Sequence, residues 1–188
     1  LQQIGNQANP YGQPNAARLA WAEGLDIPTV ESNPDFEYLF WVGCAASFDP
    51  RAQKIARATA QLLRQGGVNF AVLGKEETCT GDPARRIGDE FLFQERAQVN
   101  VETLGRRKVK KIVTPCPHCY NTLKNEYPPF GGQYAVQPHS ALLAELIESG
   151  RLTNEGVENG NDPITLHDPC YLARVNGEVD ATRAVLGE

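Results

Sequence analysis

Short unbroken apolar runs alternate along this chain with stretches whose apolar positions recur at helical spacing. Tyr38 to Val42 (YLFWV) is a run of strand length, of the kind buried on both faces of a sheet. Asp49 followed by Pro50 is an N-cap with proline at the first helical position. Beyond it Ala52, Ile55, Ala56, Thr59, Leu62 and Leu63 fall on one helical face, and Gly66-Gly67 ends that helix. Asn69 to Leu73 predicts a second strand. Phe93, Ala97, Val101 and Leu104 line a second helix, closed by Gly105. Lys111 to Thr114 predicts a third strand, followed by a short helix that stops before Pro128-Pro129. Tyr134 to Val136 predicts a fourth strand. Ser140 is placed to cap a helix that carries Leu142, Leu143, Leu146 and Ile147 and ends at Gly150.

The flanks read differently. Residues 1 to about 34 are poor in aliphatics, with a turn signal at Asn9-Pro10-Tyr11-Gly12, and predict an arm that Trp21 and Leu25 could pin down. Residues 151–162 (RLTNEGVENGND) are polar and read as a linker. Ile164 to Leu166 predicts a new strand and Tyr171 begins a new helix. The expected organisation is therefore an arm over 1–37, a domain over 38–150, the linker, and the opening of a second unit over 163–188. Alternating strands and helices with short loops predict an α/β fold, with a mainly parallel sheet and helices on its faces.

Composition narrows the function classes. Of 188 residues, 41% are hydrophobic and 22% charged, as in a globular domain. The net charge of -5 argues against nucleic acid as a partner. The basic run Arg106, Arg107, Lys108, Lys110 and Lys111 is short and reads as a solvated helix end. No apolar stretch approaches the roughly 20 residues of a membrane-crossing helix, and there is no secretory signal. The chain begins at Leu1 and contains no methionine, which predicts a segment of a longer protein. Its cysteines number five, an odd count without an export signal, so metal or redox chemistry is expected rather than a disulfide framework.

Each cysteine falls just beyond a predicted strand. Cys44 follows YLFWVG, Cys79 follows the second strand after an acidic loop, Cys116 follows KIVTP with Cys119 three residues on, and Cys170 follows ITLHDP. In an open parallel sheet the carboxyl ends of the strands share one edge, where ligand sites form. Cys44, Cys79, Cys116 and Cys119 can thus converge. Thiolates are soft ligands that suit iron–sulfur clusters and zinc. Cys116 and Cys119 would lie in the first turn of a helix, whose free N–H groups steady a thiolate. Gly43, Gly74 and Gly81 let backbone approach closely. Three chemistries stay open on these residues: a cluster-holding electron carrier, a zinc-stapled module, and a thiol–disulfide oxidoreductase using Cys116-Pro117-His118-Cys119. Structural zinc sites usually bring two close cysteine pairs and only one exists here. The dithiol reading leaves Cys44, Cys79 and Cys170 unused.

With the spacing laid out, the chain resembles the cysteine-rich CCG domain of heterodisulfide-reductase-related iron–sulfur oxidoreductases. That pattern is Cys, a gap of thirty-odd residues, Cys-Cys-Gly, a similar gap, then Cys-x-x-Cys. Here 34 residues separate Cys44 from Cys79-Thr80-Gly81, and 34 separate Gly81 from Cys116. Thr80 stands where the family has its second adjacent cysteine. The resemblance implies a [4Fe-4S] cluster held by Cys44, Cys79, Cys116 and Cys119, either cubane or a modified non-cubane form. The family carries its motif in tandem, so His167-Asp168-Pro169-Cys170 looks like the start of a second copy, with Cys170 a ligand of a second cluster. The stretches Cys79 to Arg86 and His167 to Arg174 look like those of bacterial membrane-bound reductases. This implies a cytoplasmic domain at the inner membrane face. Its expected partners are an electron-donor flavoprotein, quinone-linked or membrane redox subunits, and the remainder of its own chain. The implied role is an oxidoreductase relaying electrons between a flavoprotein donor and a quinone or disulfide acceptor.

Other residues have two readings each. Arg85 and Arg86 offset cluster charge, or pair on the surface with Asp82 or Glu90. His118 donates to a cluster sulfur or caps its helix. His139 faces the site or is structural. Asp168 before Pro169 reads first as turn chemistry, and Phe40 and Trp41 as core.

Overall fold

The computed structural model describes residues 1–153 and 165–187. Its strands are β1 (Tyr38–Phe40), β2 (Phe70–Ala71), β3 (Lys111–Thr114) and β4 (Ala135–Pro138). They form one parallel sheet in the order β2-β1-β3-β4. The α-helices are α1 (Gln2–Gln7), α2 (Gly43–Phe48), α3 (Pro50–Gln65), α4 (Asp82–Arg86), α5 (Glu90–Arg106), α6 (Pro117–Asn121), α7 (His139–Glu148) and α8 (Asp180–Leu186). The expected α/β architecture is what forms, and the reason is visible in the strand side chains. Leu39, Trp41, Ala71 and Ile112 point into one core under α5, while Phe40, Val42, Phe70 and Val113 point into a second under α3 and α7. Two-residue alternation between two covered faces is why the strands read as unbroken apolar runs.

Several boundaries differ from expectation. β1 ends two residues early because Val42 already has helical backbone and opens α2, with its N–H and that of Gly43 donated to the Glu77 carboxylate at 3.0 and 2.8 Å. β2 covers two residues rather than five, and its outer edge is completed by the arm: Thr29 bridges Val72, with Val30 N–H donating to Val72 O at 3.0 Å. The Asp49 cap is confirmed, its carboxylate accepting from Arg51 and Ala52. Ser140 does not cap α7. That helix starts at His139, two residues earlier than such a cap requires, with the extended Pro138 at the cap position and no side-chain cap.

The arm packs firmly on the domain. Trp21 joins the core under α3 and α7, and Arg57 donates to Trp21 O and Glu23 O at 2.6 and 2.8 Å. Leu25 is half-buried. Of the expected linker, residues 154–162 lie outside the described residues, as does Ile164 of the expected strand; Thr165 and Leu166 are not in a strand. Tyr171–Val175 forms a single π-helical turn, and α8 follows and packs against α7. Asn176 ties this tail to the domain, donating to Asn121 Oδ1 at 3.1 Å and accepting from Asn125 at 2.9 Å.

Candidate metal centre

β1 and β3 are neighbours, yet the chain leaves β1 toward β2 and leaves β3 toward β4. Such a switch in direction opens a crevice at the carboxyl edge of a doubly wound sheet. Cys44 sits in α2 at the end of β1, and Cys116 and Cys119 bracket the start of α6 at the end of β3. Cys79 arrives from the loop after β2. The four line one cavity of about 400 Å³, walled also by Trp41, Thr78, Thr80, Asp82, Arg86 and His118 and rimmed by Tyr11 and Ile87. The sequence-predicted quartet is thus brought together. Cys170 is exposed and does not line the cavity, and neither does His139.

Local backbone chemistry sets each thiol. Gly43 has φ +81°, a left-handed backbone that glycine adopts without strain, and it packs against Cys116 and Cys119 where the chain turns from β1 into α2. Gly81, φ +85°, closes the turn after Thr80; a Cβ on it would meet Phe93 at 3.0 Å. Cys116 is the N-cap of α6, and its sulfur accepts the Cys119 N–H at 3.5 Å. Cys79 Sγ accepts the Gly81 N–H at 3.5 Å. The Cys79 backbone is held on both sides: its N–H donates to Ala8 O at 2.7 Å, and its carbonyl accepts from Asn100 Nδ2 at 2.9 Å. Asn100 also accepts from Thr78 Oγ1 at 2.8 Å and donates to Tyr127 Oη at 3.0 Å, while Tyr127 donates to Thr80 O at 3.1 Å. Thr80 itself is buried at the cavity wall.

The thiols divide into two interacting pairs. A hydrogen bond from Cys44 holds the Cys79 thiol below its ordinary range, and that bond together with burial pushes Cys44 well up. In the same way Cys119 brings Cys116 down to about 6, while contact with Cys116 and burial drive Cys119 up. Ionising all four in this confined space is opposed by their mutual repulsion and by desolvation. A cationic iron core held by these sulfurs would remove that opposition. The donor set and the cavity agree with such a group: four thiols and the fully buried Trp41 line one space. Among the described residues no three His, Cys, Asp or Glu are placed to hold a single metal ion; the sulfurs surround a space instead.

The remaining candidates fall around the rim. His118 Nδ1 pairs with Asp82 Oδ2 at 2.8 Å and its ring meets Tyr171 at 4.6 Å. Arg86 pairs with Asp82 at 3.3 Å and Glu126 at 2.6 Å; Arg85 reaches Glu126 at 3.3 Å and Glu90 at 3.8 Å. Both arginines make the expected carboxylate pairs, but Asp82 is buried and lines the cavity together with Arg86. Asp168 pairs with Arg183 at 2.8 Å. Trp41 is core and wall at once. The arm supplies what the sequence concealed. Arg18, 1% exposed, donates to Glu77 Oε1 at 2.9 Å and to Cys44 Sγ at 3.2 Å. Its only signal in the sequence is an arginine set in an otherwise apolar Ala-Ala-Arg-Leu-Ala-Trp stretch.

The cysteine-rich CCG domain pattern matches residues 38–124. The chain is 46% identical over 190 residues to the probable iron-sulfur-binding oxidoreductase FadF of Bacillus subtilis, covering 97% of this chain and 27% of that protein. It is 41% identical over 186 residues to the EtfAB:quinone oxidoreductase of Syntrophomonas wolfei, covering 95% and 25%. It is 33% identical over 189 residues to one polypeptide of the dihydromethanophenazine:CoB–CoM heterodisulfide reductase of Methanosarcina barkeri, covering 97% and 44%. The chain therefore spans about a quarter of the length of the first two relatives. No solved structure matches it. Residues 38–124 of the chain therefore form a CCG cysteine-rich domain.

Proposed function

We propose that this chain is the cluster-holding part of an iron–sulfur oxidoreductase, with Cys44, Cys79, Cys116 and Cys119 as ligands of one [4Fe-4S] cluster. The observation that carries this reading is the meeting of four thiols, delivered by three strand ends, around one cavity at the switch point of the sheet. When bound, such a cluster supplies reversible uptake of single electrons. The chain's own residues would hold its iron through sulfur, shield it from water with Trp41, and fix the Cys79-Thr80 turn through Asn100 and Tyr127. Thr80 leaves the choice between a cubane and a modified cluster to its hydroxyl, since the family's fifth thiol is missing.

The names of the relatives imply partner redox subunits. The finer reading is a flavoprotein donor and a quinone or disulfide acceptor, at the cytoplasmic face of a membrane reached through other segments or subunits. Among the described residues no helix is long and apolar enough to cross a membrane. On this reading 38–150 is the cluster domain, and 163–188 opens a tandem copy in which Cys170 serves a second cluster.

Anaerobic preparation followed by iron, sulfide and visible absorbance measurement tests the assignment. A brown protein is expected, bleached by Ser at Cys44, Cys79, Cys116 or Cys119 and unaffected in this centre by Cys170→Ser. One observation favours a rival, the Cys116 thiol lowered to about 6 beside Cys119. A colourless protein whose Cys116 and Cys119 cycle between dithiol and disulfide would replace the cluster reading with that one.

A further inference from the structure

The arm is the least conspicuous part of the sequence, yet two of its groups touch two of the four candidate ligands. Ala8 O accepts the Cys79 N–H, and the Arg18 guanidinium donates to the Cys44 sulfur. Neither contact is incidental. Asn9, fully buried, knots the arm at this point: its Nδ2 donates to Gln7 O and Gln13 O at 2.8 and 2.7 Å, and its Oδ1 accepts from Tyr11 N–H at 3.0 Å. Trp21 anchors the other end in the core.

Arg18 is oriented by its surroundings. Its Nη1 donates to Glu77 Oε1 at 2.9 Å and to Ser47 Oγ at 3.4 Å, which leaves Nη2 turned to Cys44 Sγ. Glu77 is in turn held by the N–H groups of Val42 and Gly43, the residues just before Cys44. Both members of the ion pair are about 1–2% exposed, so the guanidinium acts on the sulfur with little solvent screening. The pair is neutral as a whole, but its positive end faces the ligand. Hydrogen bonds and charge at a ligating sulfur are levers on the reduction potential of a cluster.

We infer that Arg18 is a positioning residue that sets the reduction potential of the centre through Cys44, with Glu77 holding it in place and limiting its effect. The inference rests on the cluster reading above. Uptake of one electron adds one negative charge to the iron–sulfide–thiolate unit, and the guanidinium facing Cys44 stabilises that added charge. Arg18 thus raises the potential, and the Glu77 carboxylate behind it lowers it.

The two residues therefore pull in opposite directions, which a merely structural role would not produce. The experiment is a mediated redox titration of the cluster-loaded protein, followed by electron paramagnetic resonance, with iron and sulfide measured on every sample. Removing both charges together, R18Q with E77Q, avoids leaving a buried carboxylate alone. This double variant should lower the ratio of reduced to oxidised centres at a fixed poise about tenfold, which is about 59 mV for a one-electron couple. Glu77→Gln alone, which leaves Arg18 charged, should raise that ratio. Arg18→Lys keeps the charge on a shorter reach and should give a smaller downward shift; it carries the test if the double variant takes up no iron. Shifts of the same sign in the double variant and in Glu77→Gln, or an unmoved midpoint in either the double variant or Arg18→Lys, would overturn the inference. A wild-type protein without iron and sulfide would instead sink the cluster reading itself.

Discussion

Asn100 gives the sharpest test of how the Cys79-Thr80 turn is held. It lies on α5, fully buried, and satisfies three groups at once: it accepts from Thr78 Oγ1 and donates to the Cys79 carbonyl and to Tyr127 Oη. Truncation in Asn100→Ala affects these unequally. Thr78 Oγ1 has a second acceptor in the Cys79 carbonyl at 3.5 Å, and Tyr127 Oη keeps its bond to Thr80 O at 3.1 Å. The Cys79 carbonyl exchanges its donor at 2.9 Å for the Thr78 hydroxyl at 3.5 Å, too long to replace it in full. A buried group left without its partner costs about 1–3 kcal/mol. Adding the void left by a carboxamide side chain and the weakened hydroxyl contacts, we expect a loss of about 2–4 kcal/mol. For a domain of this size that lowers the melting temperature by about 4–16 °C, at about 2–4 °C per kcal/mol. Asn100→Asp should cost at least as much, because it sets an acceptor against the Cys79 carbonyl. Urea melts of the apo protein measure both, and iron retention reports whether Cys79 has moved. A change within about 0.5 kcal/mol for Asn100→Ala, the range of ordinary surface substitutions, would refute the argument.

Three further outcomes follow from other parts of the fold. Gly43→Ala should destabilise by about 1–2 kcal/mol through its left-handed backbone, since its Cβ would find tolerable space at 3.4 Å from Cys119 Sγ; reduced iron loading in the folded variant is the readout. Leu63→Ala, in the core under α3, should cost about 2–5 kcal/mol in a denaturant melt and leave the cavity residues untouched. Burial lowers the His139 pKa from its ordinary 6.5, and its Nδ1 has no partner. The unfolded chain therefore binds the proton more readily than the folded one. The neutral ring's advantage is present above pH 6.5 and is lost as pH falls through the lower folded value. Stability should drop there by up to about 1.4 kcal/mol per pH unit, and His139→Gln should remove that part of the slope.

The sheet is readable because its strands bury both faces, which leaves no polar residue inside YLFWV and few in KIVT. Strand ends are less so. Val42 is apolar like its predecessors, but its N–H is claimed by Glu77, a residue that in the run Lys75-Glu76-Glu77 resembles a solvated charge. Helix α2 has no apolar period in GCAASF and so carries no local signal. Ser140 has the chemistry of a cap, yet Pro138 already supplies the extended backbone ahead of it. The cysteine quartet is legible from one rule, that parallel strands share a carboxyl edge. Arg18 is not: its partners Cys44 and Glu77 lie 26 and 59 residues away, and no local pattern marks a buried ion pair of that separation. The same holds for Asn100, which reads as one more polar position on an amphipathic helix.

The contact of Ala8 and Arg18 with the cysteines has a bearing on how such proteins diversify. A peripheral segment ahead of residue 38, free of the constraint of coordinating anything, supplies a neighbour to one cysteine sulfur and an acceptor to the backbone of another. Substitution or exchange of that segment would retune a centre while every ligand stayed the same. Two relatives with identical cysteine spacing could then serve donors of quite different driving force, and the difference would be sought in vain within the shared motif.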